Sequence, residues 1–397
     1  MQRRVLILVE NLPSPFDRRV WQEATTLRDA GYGVSIICPT GRGCEKKFEA
    51  IDGIDIWRYD LPTEAAGALG YLVEYSFALF WTFLYSFRIR FDVIHACNPP
   101  DLFFLIGNFW KLFGKKFVFD HHDANPELYE AKFGRRDLLW KAMCLFERLT
   151  FRFADVSIAT NESYRRIAVE RGGMPADKVF VVRSGPSLER LKQVPPVPAL
   201  KCGKPYLVGY VGVMGKQEGI DLLLQAVQHI VRQRQDIHFG LVGGGTSLEE
   251  MKALARQLGI ADYVTFTGRV PDAELLAMLN TADVCVNPDV ANAMNDISTM
   301  NKIMEYMALG KPIVQFDLAE GRFSAREASL YAKKNDAADL AAKIVELIDD
   351  PARRASMGAY GRRRVQEELE WRYEAPKLLA AYASLWKGEM QNVPSIP

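Results

Sequence analysis

The chain has 397 residues, enough for two or three domains that each bury a hydrophobic core. Hydrophobic residues make up 49% of it and charged residues 25%, as in most folded proteins, and the formal net charge is +1. A charge so close to zero argues against a dedicated nucleic-acid binder, because such proteins carry a surplus of basic residues. The six cysteines are scattered without a C-x-x-C pair, which predicts a reducing, cytoplasmic environment.

The chain opens with a short apolar run, Val5 to Val9, that Glu10 interrupts. Five residues are too few for the hydrophobic region of a signal peptide, so a first β-strand is the better interpretation. The longest uncharged apolar run, residues 75–87, has thirteen residues and is too short to span a bilayer. We therefore expect no segment of the chain to cross a membrane.

Short runs rich in β-branched residues alternate with amphipathic helical patterns along the chain. In the first half we predict strands at 5–9, 33–38, 93–96, 116–120, 156–160 and 179–182, and helices at 19–30 and 138–153. Residues 193–205 hold four prolines in thirteen positions, which is typical of a linker. The alternation then resumes, with strands at 206–212, 238–243, 264–268, 284–288 and 312–316 and helices at 219–235, 247–258, 272–281 and 299–309.

This alternation predicts an α/β fold of two Rossmann-like, doubly wound parallel-sheet domains that face a cleft. The N-terminal domain is expected at 1–192, the linker at 193–205 and the C-terminal domain at 206–371. The final segment, 372–397, contains an aromatic helical pattern at 372–387 that we expect to pack back on the N-terminal domain. Ligands of such sheets bind at the carboxyl ends of the strands, so the binding residues should lie there.

The stretch 298–316 carries Lys302 and Glu305 inside an otherwise apolar run. Ser298 is suited to cap a helix and Gly310 to end it, and the methionines between them form one apolar face. Lys302 and Glu305 share the opposite face, either as a weak surface ion pair or as parts of a ligand site. A helix start behind a strand binds phosphate, and a carboxylate one turn later can accept two vicinal hydroxyls. Together they suit a nucleoside diphosphate.

Residues 298–314, STMNKIMEYMALGKPIV, resemble the donor-site helix of the retaining family-4 glycosyltransferases, which have the GT-B fold. The resemblance extends over nearly the whole chain. It implies that Glu305 holds the ribose hydroxyls and that Ser298, Thr299 and Lys302 bind the pyrophosphate of a nucleotide-diphosphate sugar. That UDP- or GDP-sugar is a co-substrate, and no cofactor is implied.

One carboxylate of the family pattern is missing. The family usually has a glutamate eight residues before Glu305, where this chain has Ile297. The resemblance leaves Asp296, one residue earlier, as the carboxylate expected to contact the donor sugar.

The segment GYVGVMGKQEG, residues 209–219, reads as a strand, a glycine-rich turn and a helix start. It resembles the family loop that approaches the donor phosphates, which assigns Gly215 and Lys216 to the donor site. The family's usual arginine and lysine are replaced here by Val213 and Glu218. Lys216 is therefore the cation available to substitute for them.

Two further loops of the second half resemble donor-site loops of the family. LVGGG, with Gly244, matches the V-G-x-G strand–turn junction, but it lacks the G-x-G-x-x-G of dinucleotide binders. FTGRVP matches the F-x-G-x-V-P loop that usually contacts the base. Arg269 in that loop either lines the base site or is simply exposed.

Residues 117–128, FVFDHHDANPEL, place two histidines and two aspartates after a strand. Adjacent residues of extended backbone point in opposite directions, so His121 and His122 are not expected to bind one metal ion. The chain also lacks a D-x-D triplet, and no metal site is predicted. The family pattern Y-D-A-H-D/E aligns His122 with a cleft histidine, which implies a polar contact with the transferred sugar. A structural, hydrogen-bonded histidine pair is the alternative.

The first strand–helix loop also matches the family. It implies an acceptor side formed by Phe16, Asp17, Arg18 and Arg19, at the start of the first helix. One of the arginines is available to pair with an acidic acceptor such as a lipid diphosphate. The alternative is a cluster of charges at a helix start, with Asp17 as the N-cap.

Residues 71–119 hold 16 of the chain's 44 aromatic residues. Cations lie among them, and aromatic rings beside cations suit a segment that rests on an anionic lipid surface. This predicts peripheral contact with the inner face of a membrane, with a helix that covers the sheet as the alternative. The cations are Arg88, Arg90, Lys111, Lys115 and Lys116.

The resemblance implies a metal-independent, retaining glycosyltransferase that uses a nucleotide-diphosphate sugar. The expected acceptor is a saccharide or lipid-linked saccharide, as in the synthesis of extracellular polysaccharide or glycolipid. The partners would thus be donor, acceptor and membrane surface, with no nucleic acid. Two alternatives stay open. One is a nucleotide-sugar epimerase of the same architecture, and the other is a catalytically weak nucleotide-sugar-binding partner in a membrane assembly.

Overall fold

A computed structural model divides the chain into two compact units. The first unit runs up to Ser184 and takes up the chain again from Glu374, and the second runs from Gly185 to Tyr373. Residues 387–397 and the side chain of Tyr71, which are included in two of the predicted segments, lie outside the described part of the chain. The structure describes residues 2–41, 43–62 and 67–386, apart from the side chains at 67–69 and 71.

The first unit is built on a largely parallel sheet. Its described strands are β1 (Arg4–Leu8), β2 (Gly33–Pro39), β3 (Phe48–Ile51), β4 (Ile54–Tyr59), β5 (Val93–Cys97), β6 (Lys116–His121), β7 (Val156–Ala159) and β8 (Val179–Val181). Their order is β3-β4-β2-β1-β5-β6-β7-β8. The pairs from β4 to β8 are parallel, whereas β3 is antiparallel to β4. The order reverses beside β1, which makes the β1–β5 edge the switch point where ligands of such sheets bind.

The helices of the first unit follow from capping signals and apolar spacing. Asp17 caps α1, because its carboxylate accepts a hydrogen bond from the backbone of Val20 at 3.1 Å. Asp137 caps α5 in the same way. The described helices are α1 (Arg18–Asp29), α2 (Gly67–Ser86), α3 (Phe104–Lys111), α4 (Asn125–Phe133), α5 (Leu138–Phe153) and α6 (Glu162–Arg166).

The hairpin of β3 and β4 at the sheet edge is not among the predicted strands. Its turn is made by Asp52 and Gly53, which both have positive φ, 51° and 76°. Two such residues in a row are what a tight two-residue hairpin needs, and Asp-Gly is a sequence signal for it. The short strands on either side alternate polar and apolar residues. This pattern is a weaker strand signal in the sequence than the uninterrupted apolar runs of the central strands.

The second unit contains a doubly wound parallel sheet. Its described strands are β9 (Tyr206–Val211), β10 (Ile237–Val242), β11 (Val264–Gly268), β12 (Val284–Asn287), β13 (Ile313–Phe316) and β14 (Ser329–Ala332), in the order β11-β10-β9-β12-β13-β14. The switch point lies between β9 and β12. Alternate residues of β9 enter two separate apolar clusters: Val208 and Tyr210 enter one, and Leu207 and Val211 the other. The sheet is therefore covered on both faces, as predicted.

The helices that cover this sheet are amphipathic. Leu223 and Ile344 pack into one cluster, and Leu279, Ile303 and Met307 into the other. Each such buried side chain stabilises the fold by about 1.5–3 kcal/mol. The described helices are α7 (Ile220–Val231), α8 (Leu248–Gln257), α9 (Asp272–Thr281), α10 (Ala293–Ile297), α11 (Asn301–Ala308), α12 (Ala319–Ala325), α13 (Ala337–Ile348) and α14 (Pro351–Arg364).

The proline-rich segment 193–205, predicted as a linker after a domain ending at 192, belongs to the second unit in the structure. Its backbone at Val197 donates a hydrogen bond to the hydroxyl of Thr281 at 2.8 Å, and Lys201 forms an ion pair with Asp283 at 2.8 Å. These contacts hold the segment against α9 and the start of β12. Proline content indicated the absence of a long helix correctly, but it carried no information on these side-chain contacts.

The last helix, α15 (Trp371–Ser384), belongs to the first unit from Glu374 onward. There Glu374 accepts a hydrogen bond from the backbone of Arg183 at 2.9 Å. The Tyr382 side chain is fully buried, and its hydroxyl lies 2.7 Å from Nδ1 of His95.

The α2 helix turns small side chains inward and large apolar ones outward. Ala78, Thr82 and Ser86 are fully buried, whereas Phe80 is 56% exposed and Phe87, just after the helix, 55%. Among the described residues no helix is both long enough and apolar enough to cross a bilayer.

Candidate active site

The loop after β12 leads to α11, the helix that carries Lys302 and Glu305. The predicted Ser298 cap is wrong: residues 293–297 form the separate helix α10, and the Ser298 hydroxyl donates to the carbonyl of Met294 at 2.7 Å. Helix α11 begins at Asn301 after Met300, which makes no side-chain cap. The backbone N–H groups of its first turn form the positive end of the helix dipole, which lies at the switch point.

The Lys302 ammonium pairs with Asp289, which lies just beyond the end of β12. Nζ of Lys302 is 2.7 Å from Oδ1 of Asp289, and both side chains are largely buried. Nζ also lies 5.1 Å from the centroid of the Tyr210 ring. Burial raises the pKa of Asp289 and Lys302 opposes that rise. Asp289 was not singled out from the sequence, although an aspartate directly after a buried strand is a signal for a residue at this edge.

Glu218 adds a second carboxylate near Lys302. Burial raises its pKa, Lys302 lowers it and Asp289 raises it further. A Cβ atom on Gly215 would lie 2.9 Å from a carboxylate oxygen of Glu218, so these two predicted loop residues are neighbours. Lys216 is exposed and forms no ion pair within the described residues. Lys302 is thus the buried cation here, and Lys216 is a cation on the rim.

The Glu305 carboxylate is bound by Arg190, whose Nη2 donates to Oε1. The other terminal nitrogen of Arg190 lies 3.5 Å from Asp272. Lys302 and Glu305 therefore have different partners, Asp289 and Arg190, which disfavours the simple ion pair between them. Arg190 was not predicted, because it is 115 residues away in the chain.

The Tyr306 side chain fixes α11 to the sheet. Its fully buried hydroxyl accepts from the backbone of Val211 at 2.9 Å and donates to the carbonyl of Val286 at 3.2 Å. These are residues near the ends of β9 and β12, the two strands on either side of the switch point. The tyrosine thereby sets the position of Lys302 and Glu305, its neighbours on the helix, relative to that edge.

Glycines bring the loops of this edge close together. Gly219 has φ 59°, and a Cβ there would lie 2.0 Å from the carbonyl oxygen of Pro288. Gly243 has φ 137°, and a Cβ there would lie 1.8 Å from the carbonyl oxygen of Gly212. Neither position has room for a side chain. Gly244 follows, and a Cβ on it would be 3.3 Å from Cγ of Arg269, so these two predicted residues are in contact distance.

Asparagines, which were not predicted as site residues, join the glycine loop to α10. Asn292 donates to the side-chain oxygen of Gln217 at 2.7 Å, and Asn295 to its backbone oxygen at 2.9 Å. Asp296 points elsewhere: its Oδ1 accepts from the backbone of Ala319 at 3.1 Å and from Lys334 at 3.2 Å. The carboxylate of Asp296, which the resemblance assigns to the donor sugar, therefore contacts α12 and Lys334 in the structure.

On the first unit, Arg19 turns inward from the start of α1. It forms ion pairs with Asp120 at 2.9 Å and Glu23 at 3.0 Å, and donates to the carbonyl of Val182 at 2.9 Å. Arg19 is thus committed to the protein interior and is not available for an acidic acceptor. Arg18 and Phe16, in contrast, are exposed.

The two adjacent histidines lie in different surroundings, as predicted. His121 is fully buried among the rings of Phe119, Phe151 and Tyr164, and burial lowers its pKa to about 3. His122 is 13% exposed, and its Nε2 lies 2.5 Å from Oδ2 of Asp120. Of the pair, His122 is the one that reaches the surface of the unit.

One cluster has the composition of a metal site. Single ligand atoms of Glu23, Cys97, Asp120 and His122 lie within 4.8 Å of one another. The guanidinium of Arg19 already binds two members of this cluster, Asp120 and Glu23. A divalent cation would have to displace a buried arginine, so the cluster is better described as a charge network.

A helix start, a buried lysine and a glutamate lie at the switch point of a 3-2-1-4-5-6 sheet, an arrangement typical of α/β proteins that bind phosphate-containing ligands there. Comparison with known proteins gives the family of the chain. The chain matches a glycosyl transferase 4-like domain over residues 17–185 and glycosyl transferases group 1 over residues 205–350. The chain belongs to the family-4 type of glycosyltransferases with the GT-B fold.

Solved structures resemble the chain along almost its full length. Sucrose-phosphate synthase from Thermosynechococcus elongatus is 20% identical, with 98% of this chain and 100% of that one covered and a TM-score of 0.80. HepE from Anabaena, solved in complex with UDP and glucose, is 14% identical, with 96% and 100% covered and a TM-score of 0.73. At these identities the likeness establishes the fold.

Curated relatives match mainly over part of their length. A GDP-mannose-dependent phosphatidylinositol monomannoside mannosyltransferase from Mycolicibacterium smegmatis is 31% identical over 170 residues, 41% of this chain and 44% of the relative. The D-inositol 3-phosphate glycosyltransferase of Corynebacterium aurimucosum is 24% identical over 367 residues, 84% and 79% of the two chains. The chain thus spans less than half the length of the first of these relatives.

Proposed function

We propose that the protein transfers a sugar from a nucleotide-diphosphate sugar to a saccharide or lipid-linked saccharide, with retention of anomeric configuration. The observation that carries this proposal is the arrangement on α11. Lys302, behind the helix start, is placed for a diphosphate, and Glu305, one turn on, for the ribose diol. Relatives that depend on GDP-mannose and a fold neighbour that holds UDP and glucose support such a donor.

The transfer breaks the bond between the anomeric carbon and the diphosphate oxygen and forms a bond from that carbon to an acceptor oxygen on the same face. Lys302 and the N–H groups of α11 stabilise the negative charge that develops on the departing diphosphate. Lys216, on the rim, is the second cation near this loop. The acceptor hydroxyl gives its proton to the departing phosphate. Charge stabilisation by the protein carries this step, and we propose that it needs no metal ion.

The acceptor is assigned to the first unit. His122 is proposed to contact a hydroxyl of the transferred sugar, and the exposed Phe16 and Arg18 to contact the acceptor. An arginine at this position suits an acidic group such as a lipid diphosphate. Arg19 supports this edge from within instead of binding the acceptor.

The outward face of α2 and α3 is proposed to rest on the cytoplasmic surface of a membrane. On α2 and just beyond it, Phe77, Phe80, Leu84 and Phe87 follow helical spacing and are 39–56% exposed. Lys111 and Lys115 pair with Asp155 and Asp92, whereas Arg88 and Arg90 are exposed. The apolar face beside exposed arginines supports an interfacial position on anionic lipid. The exposed apolar residues on α3 and just after it are Leu105, Leu112 and Phe113.

A thermal-shift screen with UDP, GDP and their common sugars tests the donor, because a ligand that binds the folded state raises the melting temperature. The stabilising nucleotide sugar is then incubated with and without membrane extract as a source of acceptor. Sugar transferred to the extract supports the proposal. An epimerised nucleotide sugar in the absence of extract would identify an epimerase, and donor binding without any product would identify a binding partner.

A further inference from the structure

A continuous chain of hydrogen bonds in the first unit connects the C-terminal helix to His122. The Tyr382 hydroxyl lies 2.7 Å from Nδ1 of His95, and Nε2 of His95 lies 3.3 Å from Oδ2 of Asp120. The same Asp120 oxygen is 2.5 Å from Nε2 of His122. Tyr382, His95 and Asp120 are fully buried, and His122 forms the end of the chain at the surface.

In this series of hydrogen bonds, each donor points toward Asp120. Burial raises the pKa of Tyr382 well above its ordinary value, so the hydroxyl keeps its proton and donates to Nδ1 of His95. Burial lowers the pKa of His95, so that ring is neutral with its hydrogen on Nε2, directed at the carboxylate. Both donors are therefore fixed by burial.

The Asp120 carboxylate is ionised and accepts from three sides. Burial alone would raise its pKa, but Arg19, His122 and His95 hold it well below the ordinary value. Glu23 also faces this group, and burial raises its pKa well above the ordinary value despite its contact with Arg19. Nε2 of His122 lies 2.5 Å from Oδ2 of Asp120 and 3.0 Å from Nε of Arg19, which is 3.4 Å from that same Asp120 oxygen. Two facing lone pairs repel each other at 2.5 Å, so the shorter contact favours a hydrogen on Nε2 of His122, with the Arg19 N–H shared with Oδ2 of Asp120.

We propose that Asp120 is a positioning residue that fixes His122 with its hydrogen on Nε2, and that Tyr382 of the C-terminal helix supports Asp120 through His95. Nδ1 of His122 has no partner among the described residues. With the hydrogen on Nε2, Nδ1 presents a lone pair that accepts a hydrogen bond from a hydroxyl of the transferred sugar. The contact between His122 and the sugar rests on the proposed function. The position of the hydrogen on the His122 ring does not.

The ring state is measured without substrate, by nitrogen NMR of protein labelled with ¹⁵N in its five histidines. The His122 signals are assigned by their loss in His122→Gln. We expect Nε2 of the wild-type ring to carry its hydrogen. In Asp120→Asn the amide can itself donate to Nε2, so we expect the hydrogen to move to Nδ1. A protonated Nδ1 in the wild type, or His122 signals unchanged in Asp120→Asn, would overturn the proposal.

Kinetics test the consequence for transfer. Loss of a hydrogen bond to a charged group predicts that kcat falls about 10- to 100-fold in Asp120→Asn, with the KM for the donor unchanged within about twofold. Tyr382→Phe is the milder variant, because it keeps the ring and removes the hydroxyl, and a smaller loss of kcat is expected. Tyr59→Phe is its matched control. The buried Tyr59 hydroxyl donates to the carbonyl of Val9 and takes no part in the hydrogen bonds that connect Tyr382 with His122.

The two possible failures are distinguishable. If the wild type transfers no sugar from any donor, the proposed function fails, and the NMR measurement still decides the role of Asp120. If transfer is observed but Asp120→Asn and Tyr382→Phe both keep the wild-type kcat, the positioning role fails and the proposed function stands.

Discussion

Arg190 binds the carboxylate of Glu305, the residue assigned to the ribose of the donor. An ionised carboxylate has two oxygens and about four lone-pair sites, so it can hold an arginine and a pair of hydroxyls at once. Arg190 therefore fixes the orientation of the Glu305 carboxylate. The ion pair also joins the segment after the domain boundary to α11, which makes that segment part of the candidate donor site.

The first prediction concerns the ribose contact. Glu305→Gln should weaken nucleotide binding at least tenfold, about 1.4 kcal/mol, because the amide accepts fewer hydrogen bonds from the diol. Arg190→Met should weaken it less, since the carboxylate remains but is no longer oriented. Isothermal titration with the nucleoside and its diphosphate measures both effects. As the diol is present in each ligand, equal losses are expected, and unchanged binding in Glu305→Gln would remove this residue from the site.

The second prediction concerns the phosphate contact. Lys302→Met should weaken binding of the nucleoside diphosphate by tenfold or more while leaving binding of the nucleoside unchanged, because the lost charge acts on the phosphates alone. Lys343→Met is the control in the same unit, because this half-buried lysine on α13 pairs with Glu346 and not with the predicted site. Titrations at low and high salt give a second readout, since the contribution of Lys302 should shrink as salt is added. An equal loss for nucleoside and diphosphate would contradict this assignment.

The fold could be predicted from the sequence because its periodicity is strong. The central strands are uninterrupted apolar runs and the helices between them are amphipathic, so both sheets follow from local pattern. Local pattern also explains the failure at Ser298: a good capping residue was present, but Asn292 caps a separate short helix upstream and Ser298 closes that one. The short upstream helix is also bound by Asn292 and Asn295 to Gln217, which lies far away in the chain and which local pattern does not reveal.

Short sequence motifs single out candidate residues, but they do not reveal distant partners. Lys302, Glu305 and His122 stand out in short motifs. The partners of Lys302 and Glu305, Asp289 and Arg190, lie 13 and 115 positions away and are brought to them by the tertiary fold. Asp120, in contrast, lies two positions from His122 in the same motif. Arg19 shows the same limit, because its sequence position suggests an exposed helix start while the fold turns it toward the buried Asp120.

The third prediction is a pH dependence of stability in the first unit. Asp101 is buried, accepts hydrogen bonds from the amides of Asn98 and Asn125, and its pKa is raised by burial to about 6 from 3.8. The folded protein thus binds this proton more tightly than the unfolded chain. Its contribution to stability is complete below pH 3.8 and is lost as the pH rises through 6, by about 3 kcal/mol at most.

Urea unfolding of the wild type and of Asp101→Asn at pH 4, 5, 6 and 7 measures this effect. The variant should be less stable at every pH, because its NH₂ group faces an amide donor where a carboxylate oxygen stood. It should also lack the share of the decline between pH 4 and 7 that Asp101 causes. Asp177→Asn, at an exposed position, is the control and should follow the wild type. Parallel curves for wild type and Asp101→Asn would show that Asp101 does not titrate in this range.

The fourth prediction concerns the outward face of α2. The double variant Phe80→Gln/Leu84→Gln should bind vesicles containing anionic lipid at least tenfold more weakly than the wild type, because two exposed apolar side chains no longer enter the interface. Both side chains are at least 39% exposed, so the fold should keep its stability. Leu145→Gln, on α5 and 53% exposed, is the matched control for loss of a surface apolar residue. Sedimentation with vesicles of neutral and anionic composition, at two salt concentrations, separates the apolar contribution from that of Arg88 and Arg90. Equal binding by the double variant and the wild type would show that this face does not meet the membrane.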